Sequence, residues 1–438
     1  MNNSHYLDRL AEVNKQHSVV IKEPILNAKG ALVAKEGTHL CKETARKIAK
    51  HKLIKPIDQS VSIAYSLTKQ RLIDAYTTRL KSKNLLDESI KNGSYDLAMS
   101  LLPLINRYAM IEEKLTIFAS VYPDRFGFAI TASVLAAHIA KEYGLSEEKV
   151  GNVFLANVLS DVGLLHLDPK IVENESTLNN EARKMYQGHV AISMHFADMV
   201  PGLPRIVKRA ILEHHERADG LGYPFGKTID ELCIEGQIIC IVDELTKFYY
   251  SIQNKGNFSL KVLFAVLRIP TSAHDIGVHN AMLRVLAKGE LPYKPAFNLE
   301  KLKQVVKDSF EKLARLSLWF DMFSNIYEQH REKLLDTSRF KPWALLYQLQ
   351  NNIDETGVLS ETQKTWLLGI NKNLTMENAQ DVEEFYLLLD EVEKQCYFVL
   401  NKMVEQKDVI SDLFGGPELP EVYYTGLLSI LTSNQEPG

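Results

Sequence analysis

The segment His214-His215-Glu216-Arg217-Ala218-Asp219-Gly220-Leu221-Gly222-Tyr223-Pro224 constrains this chain more than any other. It closes the apolar-periodic run PRIVKRAILEHHE, so a helix stops there, and the Asp-Gly and Gly-Tyr-Pro steps force a turn directly after it. Consecutive helical residues point about 100° apart, so a tandem histidine at a helix end can serve two neighbouring metal ions, one from each ring. The competing reading is a helix C-terminal cap in which the imidazoles meet free carbonyls.

Around this segment the pattern is helical. The stretch from about 124 to 253 gathers His138, Asp161, His166, His189, His195, His214, His215 and Asp243. Taken singly, Asp161 and Asp243 read as solvated helix carboxylates and His189 as a hydrogen-bonded core histidine. His166 and His195 carry no assigned role. Upstream, SVVIKEPILNAKGALVAKEGTHL reads as short strands turning at Asn27-Ala28-Lys29-Gly30, with a charged helix following at 42–51. Leu72, Ile73, Tyr76, Leu80, Leu85, Leu86, Ile90, Leu97, Leu101 and Leu102 recur at helical spacing and predict connecting helices.

Downstream, Val306, Phe310, Leu313, Leu316 and Phe320 share one helix face and predict a C-terminal helical bundle, with a frayed tail at GLLSILTSNQEPG. The bundle's aromatic residues, Trp319, Phe320, Phe323, Tyr327, Trp343, Trp366 and Tyr397, exceed what a thin bundle need hide and predict a partner-docking surface. The expected division is a small α/β module at 1–60, connecting helices at 61–123, a histidine-bearing helical core at 124–297 and the bundle at 298–438. The expected fold class is therefore mainly α.

Composition narrows the function. A formal net charge of −4 and a pI near 6.4 argue against a protein that works by broad phosphate neutralisation, so no nucleic acid is expected as partner. The four cysteines, Cys41, Cys233, Cys240 and Cys396, lack CxxC spacing, which fits a reducing cytoplasm. The longest apolar stretch, Phe126 to Ala140, is too short to span a bilayer and carries His138, so no membrane insertion is expected.

The segment 214–224 resembles the HHExxDGxGYP signature of the HD-GYP phosphodiesterases, a subgroup of the HD phosphohydrolase superfamily that linearises cyclic di-GMP. The resemblance extends over roughly 124–250, including the loop LHLDPKIVENESTLNNEA, and the β-rich start looks like the small module often found ahead of such domains. It implies a helical HD-type core of a bacterial cytoplasmic signalling protein. In the family, a first-helix histidine, a His-Asp pair, a lone histidine, the tandem pair and a final aspartate converge on a two- or three-metal site. The matching positions here are Asp161, His189, His214, His215 and Asp243. Arg217, Asp219, Gly220, Gly222, Tyr223 and Pro224 would form a nucleotide-facing loop, or keep a turn that the fold needs.

Three family positions are changed. The His-Asp doublet is Ser160-Asp161, the lysine three residues after that aspartate is Leu164, and the first-helix histidine aligns near Phe128. His138 lies ten residues beyond Phe128, about 80° away in helical phase, and cannot simply replace it. Asp161, His189 and His214 would correspond to one metal site, while the neighbouring site would rely on Asp161 and Asp243. Two-metal hydrolysis uses both ions, so the resemblance implies a degenerate member with one divalent iron or manganese ion, or none, and no residue assigned as catalytic. It is expected to act by binding cyclic di-GMP or a protein. A residual metal-dependent phosphodiesterase is the first alternative and a purely structural scaffold the second.

Overall fold

In a computed structural model, the described residues are 4–64, 69–81, 94–253, 255–256, 258–268, 273–288, 293–334, 341–405 and 418–432. Cα proximity divides the chain into two compact units. The first comprises Met1–Arg217, Gly222–Thr246 and Asn280–Gly289; the second comprises Ala218–Leu221, Lys247–His279 and Glu290–Gly438. The architecture is mainly α, with four short strands confined, among the described residues, to the N-terminal module.

In that module β1 (Val19–Ile21) pairs antiparallel with β4 (Val61–Ile63), Val19 opposite Ile63 and Ile21 opposite Val61. β2 (Ile25–Leu26) and β3 (Leu32–Ala34) form a hairpin at the expected turn. Gly30 takes φ +79° there, and the Asn27 side-chain oxygen accepts from the backbone N–H of Lys29 and Ala31 at 3.0 Å each. The helix Lys42–Ala49 follows, as the charge pattern predicts. The helix Ser4–Val13 buries Tyr6, Leu7, Leu10 and Val13, and packs against Lys42–Ala49 and against the helix Ala109–Val121. Leu72 and Tyr76 are buried on the helix Lys69–Lys81, whereas Leu85, Leu86 and Ile90 lie outside the described residues.

The rest of the first unit is a stack of helices. Pro123–Tyr143 and Glu147–Leu159 pack on each other, and the reversal between them is set locally. Gly144 adopts φ +95°, and the Ser146 hydroxyl caps the second helix by accepting from the Lys149 N–H. The apolar stretch Phe126 to Ala140 lies within the first of these helices, where Ile130, Val134, Leu135, Ala137 and Ile139 are all buried. No helix among the described residues is long and apolar enough to cross a membrane. The helices His189–Met199 and Arg205–Glu213 pack on each other, and the latter also packs on Glu147–Leu159.

The second unit is the C-terminal bundle, built on the long helices Leu299–Leu334 and Ala379–Glu405. Val306, Leu313, Leu316 and Phe320 are buried, with Phe310 partly so, on the predicted face. The expectation of a frayed tail is corrected here. Trp319, Phe320 and Phe323 are core, while Tyr327, Trp366 and Tyr397 pack partly buried against that core, so internal packing takes up much of this aromatic surface. Trp343 lies where no side chain is described. The tail is a helix, Glu418–Thr432, because Leu427 and Leu431 reach the same core; 433–438 lie outside the described residues.

An ion network also crosses this unit. Asp390 meets Lys312 at 2.5 Å and Lys255 at 2.7 Å, and Glu393 meets Arg315 at 2.8 Å. Burial works against the charge on Asp390, but the two lysines overcome it and hold its pKa at about 2. The folded value lies below the unfolded one of about 3.9, so the resulting stabilisation is complete above pH 4 and is lost as pH falls toward 2. Asp390→Asn should cost about 2 to 3 kcal/mol at neutral pH, the worth of a buried carboxylate whose pKa is held at about 2 instead of about 3.9. Urea unfolding of both proteins from pH 7 to pH 2 checks this, since the gap between them should shrink below pH 4; a gap independent of pH refutes it.

Candidate metal centre

Four of the five expected ligands converge. One donor atom from each of Asp161, His189, His214 and His215 lies within 4.8 Å of the others. His189 opens the helix His189–Met199, and His214 and His215 follow the end of Arg205–Glu213, so two helix termini bring the three rings together. Asp161 arrives on a one-turn connection, where Glu147–Leu159 gives way to the 3-10 helix Val162–His166.

The hydrogen bonds around two of the rings decide their tautomers. His189 Nδ1 lies 2.7 Å from the Tyr186 carbonyl, and His214 Nδ1 lies 2.6 Å from the Ile211 carbonyl. A carbonyl only accepts, so each Nδ1 carries a proton, and the neutral form of each ring presents a bare Nε2. Those two Nε2 atoms face each other at 3.4 Å, and Asp161 Oδ1 lies 3.4 Å from the Nε2 of His189. Two ligand atoms bound at about 2.1 Å to one ion stand roughly 3.0 to 3.5 Å apart. Two lone pairs and a carboxylate at this spacing repel unless a cation lies among them, so the donors present fit a divalent metal. Three imidazoles and one carboxylate suit zinc, iron or manganese.

Asp243 stands beside this group. Its Oδ2 lies 3.2 Å from His215 Nδ1, the carboxylate–imidazole contact that orients a ligating ring. Tyr223 covers the other side of His215, with ring centroids 4.7 Å apart. Burial, reinforced by Asp243 and Asp161, raises the Tyr223 pKa well above its ordinary value, so the hydroxyl keeps its proton.

The three changed positions are occupied in ways that leave no ligand behind. The Ser160 hydroxyl is buried and donates to the Asn157 carbonyl at 2.8 Å. Leu164 is fully buried in an apolar cluster with Val172 and Tyr186. Phe128 is partly buried on the helix Pro123–Tyr143. His138 on that helix bonds Ser94 Oγ at 2.9 Å, is pushed down to about 4 by burial and Lys141, and is not one of the four converging residues.

The loop after the tandem pair is held from within. Gly222 comes so close to the chain before it that a Cβ there would stand 2.4 Å from the Arg217 nitrogen and 2.5 Å from the His215 carbonyl oxygen. Only glycine allows that approach. Tyr223 N–H donates to the His215 carbonyl, and the following peptide, Tyr223–Pro224, is cis. Gly220 takes φ +74°, Asp219 Oδ1 accepts from Leu221 N–H, and Arg217 Nη1 donates to Glu244 Oε1 at 3.2 Å.

Several contributors escaped the sequence reading. Glu216 is buried, and its two oxygens accept from the backbone N–H groups of Phe225 at 2.6 Å and Lys227 at 3.0 Å, which anchors the loop. Glu213 accepts from Arg209, Lys227 and the Cys233 backbone. Gly163 would place a Cβ 2.2 Å from the His189 carbonyl oxygen, so its bare Cα lets the turn after Asp161 lie against the start of the next helix. Arg125 donates to the Val172 carbonyl and to Glu175. Burial disfavours its charge, but Tyr186, Asp161 and Glu175 more than offset that and raise its pKa. The Glu216 position inside the motif was the one visible signal; packing distances carry the others.

A family profile described as HD domain matches residues 107–257. Among curated proteins, the chain is 31% identical over 134 residues to the 3'3'-cGAMP-specific phosphodiesterase 1 of Vibrio cholerae, a stretch covering 31% of each chain. It is 27% identical over 179 residues to the cyclic di-GMP phosphodiesterase response regulator RpfG of Xanthomonas campestris, covering 38% of this chain and 47% of that one. It is 26% identical over 175 residues to a cyclic di-GMP phosphodiesterase of Thermotoga maritima, covering 39% and 45%. The chain thus spans less than half the length of these relatives. With the tandem histidine, the following loop and the converging donors matched in one helical core, residues 107–257 form an HD domain of the HD-GYP type.

Proposed function

We propose that this domain holds one divalent iron or manganese ion on Asp161, His189, His214 and His215, binds a cyclic dinucleotide beside it, and hydrolyses that nucleotide poorly. The facing Nε2 atoms of His189 and His214 at 3.4 Å carry the metal part of the reading. The named activities of the relatives supply the ligand class. Impaired turnover rests on Ser160 and Leu164, whose side chains are committed to a backbone carbonyl and to an apolar cluster.

A divalent ion at this position supplies Lewis acidity toward a phosphoryl oxygen. The chain's own residues do the rest. Asp243 keeps the His215 ring oriented, and Tyr223 offers a hydroxyl that stays protonated. Phe225 stands 64% exposed on the loop, a face on which a nucleobase can stack. Arg125 favours the second reading, a slow phosphodiesterase, because it brings a cation under the influence of Asp161 where the family lysine is replaced.

The test is metal analysis of the purified chain, calorimetric titration with cyclic di-GMP, and chromatography of the products with manganese or iron supplied. The expected result is about one metal per chain, saturable nucleotide binding, and turnover far below the roughly 1 per second of ordinary enzymes. Turnover at that rate overturns the impairment, and absence of metal together with absence of nucleotide binding leaves the scaffold. Any residual turnover should fall about tenfold or more in Arg125→Gln, as for other lost transition-state cations.

A further inference from the structure

A second cleft, of about 600 Å³, opens within the first unit between the N-terminal module and the helix His189–Met199. Its apolar wall includes Leu53, Ile54, Ile192 and Phe196, and its rim carries Lys50, His51, Lys52, Lys55 and His195. The volume is that of a small-molecule site. Among the lining residues the single carboxylate is Asp58, and its charge is met from below by Lys114 Nζ at 2.8 Å. Lys55 is paired with Glu23 at 2.9 Å, whereas Lys50 and Lys52 have no ion pair among the described residues.

The floor contains a misfit. Tyr6 donates to Asp58 at 2.7 Å and stacks on the His166 ring, with centroids 4.1 Å apart. Lys114, whose other partner is Asp58, also reaches His166 Nε2 at 2.9 Å. The ammonium donates, so Nε2 accepts and the ring's proton sits on Nδ1. Burial, with Lys114 beside it, pushes the His166 pKa down to about 3, so the ring is the neutral Nδ1–H tautomer. That Nδ1 is buried and has no hydrogen-bond partner, although His166 lines the cleft. A buried donor without an acceptor is destabilising, a deficit that a bound acceptor removes.

We propose that this cleft is a binding site for a small organic anion, whose acceptor oxygen takes the His166 Nδ1–H, whose charge faces Lys50 and Lys52, and whose apolar body lies against Ile54, Ile192 and Phe196. The site is separate from the metal centre but is built on the same two elements. The 3-10 helix Val162–His166 starts after Asp161 and ends at His166, and the helix that begins with His189 supplies Ile192, His195 and Phe196.

The test is nuclear magnetic resonance of the histidine ring nitrogens in the full chain, titrated separately with phenyl phosphate and with benzoate, the His166 signal being assigned by its loss in His166→Gln. Saturable movement of the His166 Nδ1 signal by either probe is expected, and the tighter probe identifies the anion as phosphate or carboxylate. The double variant Lys50→Gln/Lys52→Gln alters only exposed side chains and should weaken that titration about fivefold, the loss expected when two surface cations cease to face an anion. A His166 signal that neither probe moves, movement confined to His214 and His215, or an affinity unchanged in the double variant overturns the proposal.

Discussion

His214→Gln should lower the affinity of the chain for manganese or iron by at least about a hundredfold, because loss of an orienting partner alone costs 10- to 100-fold and this change removes a donor. His214 is buried and tied to the Ile211 carbonyl, so the variant also tests folding. Asp161→Asn supplies the control: it is nearly isosteric, its side chain is about a third exposed, and it removes the anion 3.4 Å from His189 Nε2. Competition against a chelator of known affinity reads both. A folded Asp161→Asn that binds metal as the parent does would show that the four converging donors are not a metal centre.

Gly163→Ala should be nearly as damaging, although it adds one methyl group and touches no donor atom. The new Cβ would stand 2.2 Å from the His189 carbonyl oxygen and 2.8 Å from Ser193 Oγ, both in the first turns of the helix that His189 opens. The Gly163 N–H already donates to Ser193 Oγ at 2.8 Å, so the turn is pinned where the methyl has no room. Either the turn withdraws and takes Asp161 with it, or the helix start moves and takes His189. The expected cost is about 2 to 3 kcal/mol from overpacking, with metal affinity falling about tenfold or more as the donors separate. Thermal unfolding with and without manganese measures both. Gly369→Ala, within the helix Glu361–Lys372 where a Cβ would meet nothing within 4 Å, should leave metal affinity unchanged and raise stability slightly through its better helix propensity. A Gly163→Ala protein with parental stability and metal affinity would refute this account of how Asp161 is placed.

By itself the sequence determined the helical class, the N-terminal hairpin and the amphipathic faces of the bundle, and it singled out four residues whose donor atoms converge. Each of these is written in local order. Helical and strand periods are set by which neighbours share a face, and the turns at Asn27–Gly30 and Gly220–Pro224 depend on backbone freedoms peculiar to glycine, asparagine and proline. The tandem histidine was legible for the same reason, since a helix end followed by an obligatory turn is a local event.

What only the tertiary structure decided were quantities that join residues distant in the chain. The tautomers of His189 and His214, the role of Asp243 as a partner of His215, and the close approach at Gly163 depend on distances that no spacing encodes. Surplus apolar content could not distinguish an interface from a core, because burial belongs to the neighbours an aromatic side chain finds; Trp319 and Phe323 found theirs inside the bundle. His166 matched no motif position and drew no role from its sequence context. Its buried, unanswered Nδ1–H exists because Asp58 and Lys114, separated from it by 108 and 52 residues, meet it in one place and take its other nitrogen.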